Sequence, residues 1–346
     1  MGSGQESKVL PVVQPIVASN TEHGYLLSGV LTNPKAKDWL MGNYVNQIMY
    51  TLRYGPDMNF YPLVNHTQCP CIDYLRISRD LIMKKWEDVF AFILDMIDHD
   101  YYIMLYLDTY YIPCSDWYQN DWHFWHPTLL YGYDRTRKVC SVGDFYIHRR
   151  FGFKELSFDD LRKAFYSDAK RDMLFLNQRY FGSEDAVLYR NRTDFAYRFE
   201  PEALKIQCEN YLNSTNLSHL CNLGDGYYFA EAVYGIETLH KLEEIIAGEN
   251  LKKVNFKFFT VPAERTQLML ERMDYLGEKG YLETAGGIKD GFAEIDKLYK
   301  ILLSLTLKYN MTKDRKILQK IKENIRNVYE KEEALFECMI RHMKLV

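Results

Sequence analysis

Two residues that can transfer protons lie in the most aromatic part of the chain, between residues 118 and 146. His126 follows Phe124 and Trp125, and Asp144 lies in the later segment VCSVGDF. A carboxylate beside an imidazole fixes the tautomer of the ring and stabilises its protonated form, as a set of nucleophile, base and orienting group requires. The pair therefore suits a hydrolase or an acyltransferase.

These two residues are predicted to lie on neighbouring strands. PTLLYGYD and KVCSVGDFY are short apolar runs joined by the polar turn DRTRK, which predicts a hairpin. If the turn is centred near Arg135, the numbers of paired residues sum to roughly 270, so that His126 lies directly opposite Asp144. The alternative is that both side chains only satisfy hydrogen bonds at the edge of the sheet.

Four residues near His126 are candidates for substrate contacts: Tyr111, Trp122, His123 and Trp125. Aromatic rings offer apolar area together with a polar edge, which suits the wall of a cleft. His123 is expected to face away from His126 and is the weaker candidate as a base. The alternative for the aromatic residues is that they pack in the core.

The elements that position these residues change along the chain from helix to strand, which predicts an α+β fold. DWLMGNYVNQIMYTLRYG has apolar residues at helical spacing and stops at Gly55, which predicts a helix beginning near Asn43. SRDLIMKKWEDVFAFILDMIDHD predicts one helix of about five turns after a cap at Ser78. YYIMLYLDTYYIP and AVLYRNRTDFAYRF are typical of strands, and SFDDLRKAFYSDA is typical of a helix.

From Pro201 onward the sequence shows only long helical periodicity. The predicted helices span roughly residues 201–216, 224–247, 260–281, 288–309 and 312–344. We therefore expect two domains: residues 8–200 with an antiparallel sheet, and residues 201–346 as an all-α helical bundle.

Composition argues against several function classes. The net charge is −4 and the pI is about 6.2, so no overall positive field favours nucleic acid or an anionic membrane. The seven cysteines show no repeated metal-ligand spacing, and reduced thiols in a cytoplasmic protein are the expectation. Because no basic and apolar leader pattern and no apolar run of about 18 residues stands out, neither a secretory signal nor a membrane span is expected.

The order of helix and strands, with HPTLLYGYD and VCSVGDF, resembles the papain-like C39-peptidase group. Within that group it is similar to the butirosin biosynthesis protein H type, whose members transfer acyl groups from carrier-protein thioesters to amines. The closthioamide amide synthetase is similar in joining a cysteine-protease-like domain to a helical bundle, here with GIETLHKL and ERTQLMLERMDYL. The resemblance implies a papain-like first domain, with His126 as the base and Asp144 as the orienting carboxylate.

The resemblance also implies a nucleophilic cysteine at the head of the first long helix, where backbone N–H groups lower the pKa of a thiol. The spacing to Ile48, Leu52 and Tyr54 puts that position at Asn43. Asparagine cannot form an acyl thioester. The glutamine that stabilises the oxyanion six residues upstream is replaced by Lys37.

Three functions remain open. The first is acyl transfer in nonribosomal-type natural-product biosynthesis without a covalent cysteine intermediate: His126 activates an amine, and Asn43 holds the carbonyl of a thioester on a carrier protein. Such a protein needs no cofactor of its own, because the phosphopantetheine arm belongs to the substrate. The second is an inactive relative that binds a carrier protein, a synthetase or a peptide intermediate. The third and least favoured is a thiol peptidase using Cys69 or Cys71. A homodimer is left open.

Overall fold

The computed structural model describes residues 5–52, 55–61, 69–147, 150–169, 185–217, 232–248 and 251–345. The chain divides into two units, Met1–Ala36 with Asn65–Ala196, and Lys37–Val64 with Tyr197–Val346. The division after Ala196 lies close to the boundary predicted near residue 200. Residues 37–64 were assigned to the wrong unit, because local periodicity does not report which distant segment a hairpin will join.

The described residues form helices and strands, numbered here in chain order. The strands are β1 (Ser7–Val9), β2 (Asn46–Leu52), β3 (Gly55–Tyr61), β4 (Ile72–Ser78), β5 (Tyr102–Asp108), β6 (Trp125–Asp134), β7 (Val139–Ile147), β8 (Arg150–Ser157), β9 (Asp185–Asn191) and β10 (Val233–Tyr234). The helices are α1 (Thr21–Val30), α2 (Ala36–Met41), α3 (Arg79–Lys85), α4 (Val89–Asp98), α5 (Phe158–Tyr166), α6 (Pro201–Leu212), α7 (Glu237–Ala247), α8 (Lys257–Glu278), α9 (Ala285–Thr312) and α10 (Arg315–His342).

The first unit is built on a seven-stranded sheet. Its strand order is β4-β9-β5-β6-β7-β8, with β1 paired to β6, and every pairing is antiparallel. The runs predicted as strands form β5, β6, β7 and β9. Helix α1 packs against β7 and β9, and α4 and α5 pack against β5. The mixed α+β class is therefore confirmed for this unit.

One predicted helix of the first unit is two helices. Ser78 caps the first as expected, its Oγ accepting from Leu81 N at 3.3 Å. The backbone of Trp86 is extended, and Asp88 then caps α4 by accepting from the N–H groups of Phe90 and Ala91. The prediction was wrong here because the new cap interrupts an apolar pattern that is otherwise continuous.

The second unit is not all-α. It contains a three-stranded antiparallel sheet in the order β10-β2-β3. The helix predicted from Asn43 is wrong, since Asn46–Leu52 is the central strand of this sheet. Asn46 through Tyr50 are all buried, and a strand covered on both faces shows no alternation that would distinguish it from a helix.

Among the described residues, the second unit also contains the short helix α2 and five longer helices, α6 to α10, which lie close to the predicted ranges. Cys221 and the beginning of the helix predicted from residue 224 lie outside the described residues. Glu332 of α10 is fully buried and accepts from Arg265 of α8 at 2.5 Å and from Tyr299 of α9 at 2.9 Å. Tyr211 of α6 donates to the same carboxylate, so one buried ion joins four helices.

None of the helices in the described ranges is both long enough and apolar enough to cross a bilayer.

Candidate functional site

His126 and Asp144 are in contact. His126 Nδ1 lies 3.0 Å from Asp144 Oδ1 and 3.2 Å from Oδ2. The Asp144 side chain is 4% exposed and the His126 side chain 20% exposed, so the carboxylate is covered and the ring reaches solvent. A carboxylate that holds Nδ1–H leaves the lone pair of Nε2 available as a base.

The strand register that produces this contact differs from the prediction. Leu129 lies opposite Gly143 and Leu130 opposite Val142, which is a shift of two residues, and a bulge follows between Leu130 and Gly132. Side chains alternate along a strand, so a shift of two residues keeps Asp144 on the face of His126. The two residues are therefore diagonal neighbours, and their side chains still meet.

Asp144 accepts hydrogen bonds from several donors besides His126. Tyr25 OH lies 2.7 Å from Oδ1, Thr128 Oγ1 donates to Oδ2 at 3.1 Å, and Phe145 N donates to Oδ1 at 2.7 Å. Tyr25 is fully buried, and burial together with the Asp144 charge raises the pKa of its hydroxyl well above the usual value. Tyr25 therefore remains a donor, and the Asp144 carboxylate is held in one orientation.

The group facing the other ring nitrogen is a hydroxyl. Thr21 Oγ1 lies 3.4 Å from His126 Nε2. Thr21 is the first residue of α1, which follows Asn20 in extended conformation and begins with the hydrogen bond from Gly24 N to Asn20 O. The backbone N–H of a first helical residue has no acceptor within its own helix. Thr21 thus offers a hydroxyl and an N–H at the positive end of a helix dipole.

Sequence reasoning missed Thr21 because it assigned no helix or strand to the residues before Asp38. The signal was present: Ser19, Asn20 and Thr21 are residues that favour the beginning of a helix, Glu22 is acidic in the first turn, and an apolar run follows. Eight of the ten residues of α1 are buried, which identifies it as a core helix of the first unit.

Asn43 does not head a helix. It lies in the second unit, between α2 and β2, and its Nδ2 donates to Trp39 O at 2.7 Å. The position six residues before Thr21 is Pro15, so the implied glutamine is also missing there. Gln14 precedes it and donates from Nε2 to Phe151 O at 3.5 Å.

His123 forms a second pair with a carboxylate. Its Nδ1 lies 2.5 Å from Oδ2 of the fully buried Asp108, which also accepts from Ser167 Oγ at 2.6 Å. Leu107 pairs with His126 and Asp108 with Trp125, so Asp108 and His126 project to opposite faces of the sheet. The expectation that His123 faces away from His126 agrees with this arrangement.

The remaining predicted contact residues divide between the two faces. Trp125 is buried, and the guanidinium of Arg79 lies 5.2 Å from its ring centroid. The Tyr111 ring lies 5.9 Å from the His123 ring. Trp122 instead contacts Phe124, whose ring lies 5.5 Å from the His126 ring. Among the described residues, Trp122 is the one of the four whose ring connects to the His126 ring, through Phe124.

Cys69 and Cys71 are both buried. A hydrogen bond to Cys71 and burial raise the pKa of Cys69, while the same hydrogen bond lowers the pKa of Cys71. The two thiols therefore satisfy each other, and the group within hydrogen-bonding distance of His126 Nε2 among the described residues is Thr21.

The site contains a hydroxyl, an imidazole and a carboxylate in contact, in the order that nucleophilic acyl transfer requires. These groups belong to Thr21, His126 and Asp144. The 3.4 Å distance is long for a hydrogen bond, as is common before substrate binds. Neither a scan against protein-family models nor a search of curated proteins finds a match to this chain.

Proposed function

We propose that this protein is an acyltransferase that uses the Thr21 hydroxyl as its nucleophile. The observation that carries the proposal is the hydrogen-bonded series from Thr21 Oγ1 through His126 to Asp144, at the head of α1. Sequence resemblance supports an acyl donor that is a thioester on a carrier protein and an acceptor that is an amine, within nonribosomal-type natural-product assembly.

The first half-reaction forms an ester on the enzyme. His126 Nε2 takes the proton of Thr21 Oγ1 as the oxygen attacks the thioester carbonyl, and the tetrahedral intermediate carries the negative charge. The N–H of Thr21 and the positive end of the α1 dipole lie next to that charge. The carbon–sulfur bond then breaks, and His126 gives the proton to the leaving thiolate.

The second half-reaction restores the hydroxyl. An amine attacks the threonyl ester, His126 takes a proton from the amine nitrogen, and the carbon–oxygen bond to Thr21 breaks. The proton returns to Thr21 Oγ1, so the products are an amide and the original enzyme. Asp144 keeps Nδ1–H oriented in both halves and stabilises the imidazolium that forms. This scheme replaces the role first expected for Asn43.

The test uses an acyl thioester of N-acetylcysteamine, which mimics the end of the phosphopantetheine arm. We expect thiol release and an intact-mass increase equal to one acyl group, located on Thr21 by peptide mapping, with both lost in Thr21→Ala. Addition of a primary amine should remove the adduct. Thiol release by Thr21→Ala at the wild-type rate would overturn the proposal. If the protein instead binds an acylated carrier protein but releases no thiol, that result would favour the second function, an inactive relative that only binds.

A further inference from the structure

A group of aromatic side chains extends from His126 toward solvent. We call Trp117, Trp122 and Phe124 the aromatic platform. Their ring centroids lie 5.2 Å apart for the two tryptophans, 5.1 Å for Trp117 and Phe124, and 5.6 Å for Trp122 and Phe124. Phe124 lies 5.5 Å from the His126 ring. The platform is thus continuous with the base proposed above.

The platform is not buried. Trp122 is 40% exposed, and Trp117 and Phe124 are half-buried. A cluster of partly exposed aromatic rings beside a candidate base marks a surface that a ligand can cover, whereas singly exposed apolar residues are ordinary. The proposed reaction uses Thr21, His126 and Asp144 but assigns no role to these rings.

The chain segment that contains the platform carries acidic residues but neither lysine nor arginine. From Tyr101 through Asp134 the sequence contains no Lys or Arg, and an aspartate directly precedes each tryptophan of the platform, at Asp116 and Asp121. Both aspartates are exposed. Asp116 is fixed to β7, because its N–H donates to Tyr146 O at 3.0 Å. Lys154 of β8 acts electrostatically on the Cys114 thiol, so one basic side chain from another strand lies near this segment.

Aromatic faces and carboxylates together favour one class of ligand. The face of an aromatic ring, tryptophan most of all, attracts a cation, and a neighbouring carboxylate strengthens that attraction. An anionic group would be repelled by both, and a neutral apolar group would gain nothing from Asp116 and Asp121.

We propose that the aromatic platform, with Asp116 and Asp121, is a subsite for an ammonium group of the substrate. This inference rests on the proposed function, because it names the charge class of the molecule on which Thr21 and His126 act. The bound ammonium stays charged and anchors the molecule, while a different, neutral amine or acyl carbon reacts at His126.

The test compares choline with 3,3-dimethyl-1-butanol, which has the same shape without the charge. Binding to the full-length protein is followed by saturation-transfer NMR on the methyl protons, which does not depend on tryptophan emission. We expect choline to bind at least about tenfold more tightly than the alcohol. Trp122→Ala and Asp121→Asn should each weaken choline binding by about tenfold or more, and Asp159→Asn, an exposed aspartate of α5, should not.

Equal binding of choline and the alcohol would overturn the charge assignment, and no binding of either would overturn the subsite. Thr21→Ala should bind choline as tightly as the wild type, because Thr21 is not part of the subsite. Choline binding by a wild-type protein that releases no thiol from the thioester would overturn the proposed function and leave the subsite standing.

Discussion

Thr21 and Tyr25 lie one turn apart on α1 and contact opposite ends of the same histidine–aspartate pair. Thr21 Oγ1 faces His126 Nε2 at 3.4 Å, and Tyr25 OH faces Asp144 Oδ1 at 2.7 Å. Residues four apart share one face of a helix, so a single helix presents the nucleophile and holds the orienting carboxylate. The geometry of the site therefore depends on the position of α1 against β6 and β7.

Tyr25→Phe should lower kcat by roughly five- to tenfold and leave KM unchanged, because it removes one hydrogen bond of about 1 kcal/mol from Asp144. The raised pKa of the Tyr25 hydroxyl keeps it protonated, so the ratio to wild type should stay flat from about pH 6 to about pH 9. Steady-state thiol release measures both.

Tyr102→Phe is the matched control for this change. Its hydroxyl also lies in the interior of the first unit, donating to Pro11 O at 2.5 Å, away from Asp144. An equal loss of kcat in both variants would mean that Tyr25 acts only through stability.

Asp144→Asn should reduce thiol release by about 10²- to 10⁴-fold, because an amide no longer fixes Nδ1–H of His126. Asp108→Asn is the comparison, since it removes the equivalent carboxylate from His123 on the other face of the sheet. We expect the kcat of Asp108→Asn to stay within about threefold of wild type. The comparison uses protein whose circular dichroism spectrum is native. Equal losses would assign His123 a part in the reaction.

The thiols of the first unit should react slowly with iodoacetamide. Burial raises the pKa of Cys114 to about 11, so only about one part in a thousand is thiolate at pH 8. Cys69 and Cys71 are buried free thiols, and a hydrogen bond joins them to each other. Mass mapping of alkylated peptides, folded against urea-unfolded, checks this. Rapid labelling of Cys69 or Cys71 in the folded protein would contradict this expectation and would support the third function, a thiol peptidase.

Glu332→Gln should destabilise the second unit by about 3–5 kcal/mol, because it leaves the guanidinium of Arg265 buried without its counter-charge. Urea unfolding monitored by far-ultraviolet circular dichroism measures the change. Glu333→Gln, at the exposed neighbouring position, should change the free energy of unfolding by less than about 0.5 kcal/mol. The double change Arg265→Met with Glu332→Leu should be less harmful than Glu332→Gln alone.

The sequence predicted the β6–β7 hairpin and the meeting of His126 with Asp144, although the register was wrong by two residues. The two side chains still meet because side chains alternate between the faces of a strand with a period of two. A register error of two residues therefore keeps Asp144 on the same face of the sheet as His126. The nucleophile position was wrong because the apolar spacing of Ile48 and Leu52 fits a helix as well as a strand buried on both faces. What distinguishes the two is pairing with β3 on one side and with Val233 and Tyr234, far along the chain, on the other.

The path of the chain also determines when the second unit can fold during synthesis. Strands β2 and β3 leave the ribosome early, yet the cluster that covers Ile48, Tyr50 and Tyr61 includes Tyr234 of β10. The hairpin therefore stays without its third strand while residues 65–196 of the first unit emerge, at about 5–20 residues per second. A fragment ending near residue 200 would keep this apolar hairpin permanently uncovered and should aggregate, whereas the full-length chain buries it when β10 arrives.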